Sequence, residues 1–159
     1  MNHRIFLSVF LTLAALPVFS AENRPLANPL EAMLSGFATC DLQGVYIDWQ
    51  TNRAAHPYLN QLTKRGVRIQ DGFARFKHVD QTFHGFRVLE LRVPAQTWTA
   101  HRLILDAPHT RARATLERAW RIKLPASSAQ ADDAEEVVPN LFPYPGHSNW
   151  SILECDSPL

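Results

Sequence analysis

The chain has 159 residues, with 16 Lys and Arg against 15 Asp and Glu, for a formal net charge of +1. Such a balance argues against a general nucleic-acid binder, whose affinity needs a surplus of cations facing phosphates. The length suits one domain with its own core.

Residues 1–20 read as a targeting segment. His3 and Arg4 form a short positive start, residues 5–18 are almost wholly apolar, and Val18 and Ser20 put small residues at the −3 and −1 positions for cleavage after Ser20. Removing Arg4 leaves 15 basic and 15 acidic side chains, a formal charge of zero. No cysteine follows the cleavage point, so no lipid anchor is indicated, and no other stretch reaches about 18 continuous apolar residues. The expected mature product is therefore one exported domain, residues 21–159, periplasmic or secreted and without a membrane span.

Asn28-Pro29-Leu30-Glu31 predicts a capping box with proline at the first helical position, opening a short helix to about Ser35 that Gly36 stops. After Gly44, Val45, Ile47 and Trp49 alternate with Tyr46 and Asp48, the period of a half-buried strand. His56-Pro57 opens a second short helix carrying Tyr58, Leu59 and Leu62, ended by Gly66. Residues 73–79 are a strand candidate, and Asp80-Gln81-Thr82 reads as a turn.

Residues 86–122 hold the densest regular patterning. Leu89, Leu91 and Val93 point one way and Glu90 and Arg92 the other, so a strand is expected until Pro94, which has no N–H for the ladder. Residues 94–97 are the right length for a hairpin connection. Residues 98–105 resume as a strand, with Arg102 on a face that is only partly covered. Asp106 is the expected N-cap of a helix over residues 108–120, whose apolar stripe is Ala112, Leu116, Ala119 and Trp120. Residues 126–136 are small, polar and acidic and read as a solvated loop. Residues 139–149 mix Pro139, Pro143 and Pro145 with Leu141, Phe142 and Tyr144 and read as a stiff loop, before a last strand at 150–155. The fold class these elements add up to is α+β: a mostly antiparallel sheet of about five strands, one main helix on a face, and short helices near the N-terminus.

Cys40 and Cys155 are the only cysteines. An even count behind an export signal makes one disulfide the expected state, tying the last strand to the segment after the first helix. With no Cys-x-x-Cys, redox catalysis is a poor reading.

Motifs for chemistry are missing. No His-Glu-x-x-His, Cys/His zinc spacing, Gly-x-Ser-x-Gly, Ser-x-x-Lys or glycine-rich phosphate loop occurs, so neither a catalytic residue, a metal nor a cofactor is assigned. His78, His84 and His101 lie on neighbouring predicted strands, and scattered, hydrogen-bonded histidines are the simpler account of them. Two features remain. Arg111, Arg118 and Arg121 form a row on the main helix that could hold a carboxylate or phosphate, against the plainer reading of a solvated face with an Arg113–Glu117 pair. Phe142, Tyr144 and His147, stiffened by the prolines, would present aromatic area with little entropy left to lose, or else fold back to plug the sheet.

Three classes of function follow. The first is a non-catalytic binding protein with a protein partner in the envelope or extracellular space, an inhibitor or immunity-type antagonist of an envelope-acting enzyme. The second is a module for a small anionic ligand or envelope component, using the arginine row. The third is an enzyme with a dispersed site.

Overall fold

The computed structural model describes residues 28–77, 79–95, 100–126 and 137–156. The expected signal segment, Trp98 and residues 127–136 of the acidic loop lie outside them.

The first helix, α1 (Pro29–Met33), begins as its sequence predicts: the Asn28 side chain accepts from the Leu30 and Glu31 amides and Pro29 sits in the first turn. Glu31 does not close a capping box. Its carboxylate reaches across to the His84 amide at 2.8 Å. Gly36 is not a stop either, since it lies inside a 3-10 turn, Ser35–Thr39, that follows α1. Its reason is contact: a Cβ there would sit 1.7 Å from the Asp41 carbonyl oxygen.

The strand expected after Gly44 is cut down to β1 (Ile47–Asp48), paired with β2 (Arg53–Ala54). Val45 and Ile47 are buried, but Tyr46 and Trp49 stay 47% and 55% exposed, so the alternation ends one residue early. The second helix, α2 (Pro57–Thr63), is capped by His56 Nδ1, which accepts from the Tyr58 amide at 3.1 Å. It buries Tyr58, Leu59 and Leu62.

The main sheet is formed by β3 (Arg68–Gln70), β4 (Phe73–Lys77), β5 (Thr82–Phe83), β6 (Phe86–Pro94), β7 (Ala100–Leu105), β8 (Asn140–Tyr144) and β9 (His147–Asp156). Its order is β3-β4-β6-β7-β9-β8, with β5 on β6, and every pairing is antiparallel. The α+β class holds, but the described residues contain seven strands in this sheet where about five were expected. β3 and β5 are too short to show a period, and β8 carries a proline that makes a strand read as a loop.

One face of the sheet holds Phe76, Leu91, Val93, Leu103, Leu105, Leu141, Leu153 and Cys155, which join Leu30, Leu34, Phe37 and Leu59 of the N-terminal helices in a single hydrophobic cluster. The third helix, α3 (His109–Trp120), adds Ala112 and Leu116 to that cluster, with Trp120 packed against it. Ala119 is exposed rather than part of the stripe. The helix starts one residue later than expected, with Pro108 in the N-cap position; Asp106 pairs instead with Arg87 at 3.3 Å. At its other end Arg121 takes a left-handed conformation, φ 59°. Arg113 then donates to the carbonyls of Leu124 and Pro125 at 2.8 and 2.7 Å, while Glu117 accepts from the Leu124 amide.

Two features tie the N-terminal helices to this frame. Cys40 and Cys155 form the expected disulfide, their Cα atoms 5.3 Å apart across a separation of 115 residues. Phe37, Phe83, His84 and Trp120 make a ring cluster with centroids 4.6–6.2 Å apart, in which Trp120 Nε1 donates to His84 Nε2 at 2.9 Å. His84 and Gly85, with φ of 48° and 81°, supply the tight turn between β5 and β6. Among the described residues no helix is long and apolar enough to cross a membrane. The disulfide fits an extracellular or periplasmic location.

Candidate functional site

The opposite face of the sheet is where polar chemistry collects. Strand pairing sets Arg75 opposite Arg92, Lys77 opposite Glu90, Arg92 opposite Arg102, and Arg102 opposite Glu154. Four cationic side chains and two carboxylates therefore share one surface. Glu90 is the hub: Arg75 donates to both of its oxygens, at 2.6 and 3.2 Å, and Arg92 donates at 2.7 Å. Arg75 spends its remaining nitrogen on Gln70 at 3.1 Å. Arg102 pairs with Glu154 and lies 4.9 Å from the centre of the Phe73 ring. Burial pushes the Glu90 carboxyl up, but the hydrogen bonds from Arg75 and Arg92 outweigh it and hold the group below its ordinary value. The same bond to Glu90 raises the Arg75 guanidinium.

At the far edge of this face stands the hairpin of β8 and β9. The stretch read as a long proline-aromatic loop is in fact paired strand: Leu141 opposes Leu153, Phe142 opposes Ile152, and Tyr144 opposes His147. Pro145 and Gly146 make the turn, and Gly146 supplies φ 78°. Of the two expectations for the aromatics, folding back into the core is not what Tyr144 and His147 do. Tyr144, His147 and Trp150 pack on one another outside the core, with His147 stacked on Trp150 at 4.0 Å and 9° and Tyr144 edge-on to both at 5.5–5.6 Å. Phe142 is half-buried along the same strand. β9 also carries Cys155, so the hairpin is fastened covalently to residue 40.

Between this ring cluster and the charged network the sheet is hollowed into a cleft of about 510 Å³. Tyr144 and Trp150 form one wall, and Arg75, Lys77, Arg87 and Glu90 line the rest above Ile104. The cleft lies where β6 and β7 lose register between Val88 and Glu90, leaving Leu89 as the extra residue. A bulge bends the strand and re-aims its side chains, and Leu89 is itself a lining residue.

The arginine row is only partly brought together. Arg118 and Arg121 line a shallow depression at the end of α3 with Ile122 and Lys123, whereas Arg111 lies 5.7 Å from the centre of the Phe86 ring, outside it. The histidines have separate duties. His84 accepts from Trp120, the buried His101 meets the Val45 carbonyl through Nε2 at 2.7 Å, and His78 lies outside the described residues. Among the described residues no three His, Cys, Asp or Glu side chains gather closely enough to hold a metal ion.

The sequence pointed to Tyr144 and His147 but not to Trp150, which packs on them, nor to the cleft-lining Arg75, Lys77 and Arg87. A signal for the charged face was present: Arg75 and Lys77, Glu90 and Arg92, Arg102, and Glu154 recur at alternate positions, opposite in phase to the apolar residues of the same strands. Comparisons with protein-family models, with curated proteins and with solved structures find no match to this chain.

Proposed function

We propose that the chain is an exported, non-catalytic binding protein that engages a protein partner through the β8–β9 hairpin, as an inhibitor or immunity-type antagonist of an envelope-acting enzyme. One observation carries this reading. Tyr144, His147 and Trp150 are already packed on one another outside the core, on a hairpin tied to the body by a disulfide. Association costs side-chain and loop ordering, and a surface ordered in advance avoids most of that cost. Tyrosine and tryptophan anchors flanked by arginine are also the residue types in which binding energy concentrates.

The test is affinity capture from periplasmic extract of the source cells, read by mass spectrometry. A single dominant protein is expected with the full chain, and its loss with Tyr144→Ala/Trp150→Ala. Capture undiminished in that double variant rejects the hairpin as the contact. A second reading, a module for a small anionic ligand on the arginine row, draws on Arg118 and Arg121 sharing one depression. It predicts anion affinity that weakens with salt and with Arg118→Ala.

A further inference from the structure

We propose that the cleft beside the hairpin is a binding site for a small organic acid, which sets its carboxylate against Lys77 and Arg87 and its flat body against Trp150 and Tyr144. This site is distinct from the arginine row, and its occupancy does not depend on a protein partner.

The argument begins with which charges are already spent. Both Glu90 oxygens are taken by Arg75 and Arg92, and all three Arg75 nitrogens are engaged by Glu90 and Gln70. Asp80 also lines the cleft, and its contact with Arg65, 3.5 Å between exposed side chains, is screened by water as well. Lys77 has no carboxylate within ion-pair distance among the described residues, and it is exposed on the lining. Arg87 makes a single 3.3 Å contact with Asp106 while its side chain is 68% exposed, a pairing that water screens heavily. With Glu90 taken up by Arg75 and Arg92, Lys77 and Arg87 stand against Asp80 alone, so the β4–β6 end of the cleft keeps a surplus of positive charge, and an anion is what it recognises.

Shape supplies the other half. Trp150 is held in place by the stacked His147 and the edge-on Tyr144, so its ring is a fixed wall rather than a swinging one. Ile104, 2% exposed, lies beneath. A cleft of about 510 Å³ with an apolar floor, an aromatic wall and a few convergent polar groups has the make-up of a small-ligand pocket. An aromatic or alicyclic carboxylate matches both halves, and an inorganic anion matches only one.

The experiment follows amide and indole resonances of the full chain titrated with benzoate and, separately, with its neutral analogue benzamide. Benzoate is expected to move the Trp150 indole signal and the amides of Lys77 and Arg87, binding roughly fivefold more tightly than benzamide at low salt. Lys77→Met/Arg87→Gln should erase that preference while leaving the melting temperature in place, and Arg118→Gln should leave it intact. Equal response to the two probes, no response, a preference that survives the double variant, or shifts centred on Arg118 and Arg121 would each overturn the proposal.

Discussion

Glu90 shows how much one side chain can hold on a half-buried, charged sheet face. Replacing it with Gln leaves Arg75 and Arg92 half-buried with no counter-charge, and we expect a loss of about 2 kcal/mol in urea unfolding, larger than an exposed ion pair would give. Its pH dependence has a definite sign. The unfolded carboxyl titrates near 4.5 and the folded one lower, so the contribution is complete above 4.5 and fades as pH falls through the folded value. His84 acts over a higher window. Burial lowers its pKa, with Glu31 opposing, and Nε2 must stay unprotonated to accept from Trp120. The unfolded imidazole takes up its proton near 6.5 and the folded one at lower pH, so stability should decline as pH drops from 6.5 through that lowered value. His84→Asn, which tolerates the positive φ, should flatten the slope of urea midpoint against pH between about 7 and 5.

At the scale of elements, the 3-10 turn after α1 depends on backbone passing where a side chain would stand. Gly36→Ala should therefore cost about 2–3 kcal/mol, seen as a lowered denaturation midpoint with an unchanged slope. The elements also show what was legible in the chain. α2, β6, β7 and α3 were readable because each has a period, a proline or a cap that acts within a few residues. β8 was not, because Pro139, Pro143 and Pro145 signal a break, and only the ten-residue partner β9 gives that segment a ladder to join. The loss of Trp49 from the buried set has a local cause that the alternation masked: Asp48 Oδ1 accepts from the Gln50 and Thr51 amides and turns the chain where β1 stops. For the site, residue types on each strand were visible, but which strands are neighbours was not. Arg75 and Glu90 meet through a β4–β6 register that only the folded sheet sets.

For the molecule as a whole the disulfide is the largest single restraint. Closing a loop of this size is worth about 5 kcal/mol in the chain-entropy model, and removing a native bridge from a small domain commonly costs 2–5 kcal/mol. Cys40→Ser/Cys155→Ser should lower stability by about 3–5 kcal/mol, measured by urea unfolding without reductant. An unchanged midpoint would mean that the ring cluster of Phe37, Phe83, His84 and Trp120 is enough to hold α1 on the sheet. The architecture is lopsided: the described helices pack into one side, and the other side is left to charges, rings and the cleft. Polar face and core are thus built on alternate residues of the same strands, Trp150 and Glu154 on one side of β9 and Ser151, Leu153 and Cys155 on the other.

That bridge also governs what a protease can accomplish. A single cut anywhere between residues 126 and 137 would divide the polypeptide but not release the β8–β9 hairpin, because the last strand remains bonded to residue 40. A nicked sample should migrate as one band until reductant is added and as two afterwards. The aromatic wall would stay in place through damage that would strip it from a chain held by noncovalent contacts alone.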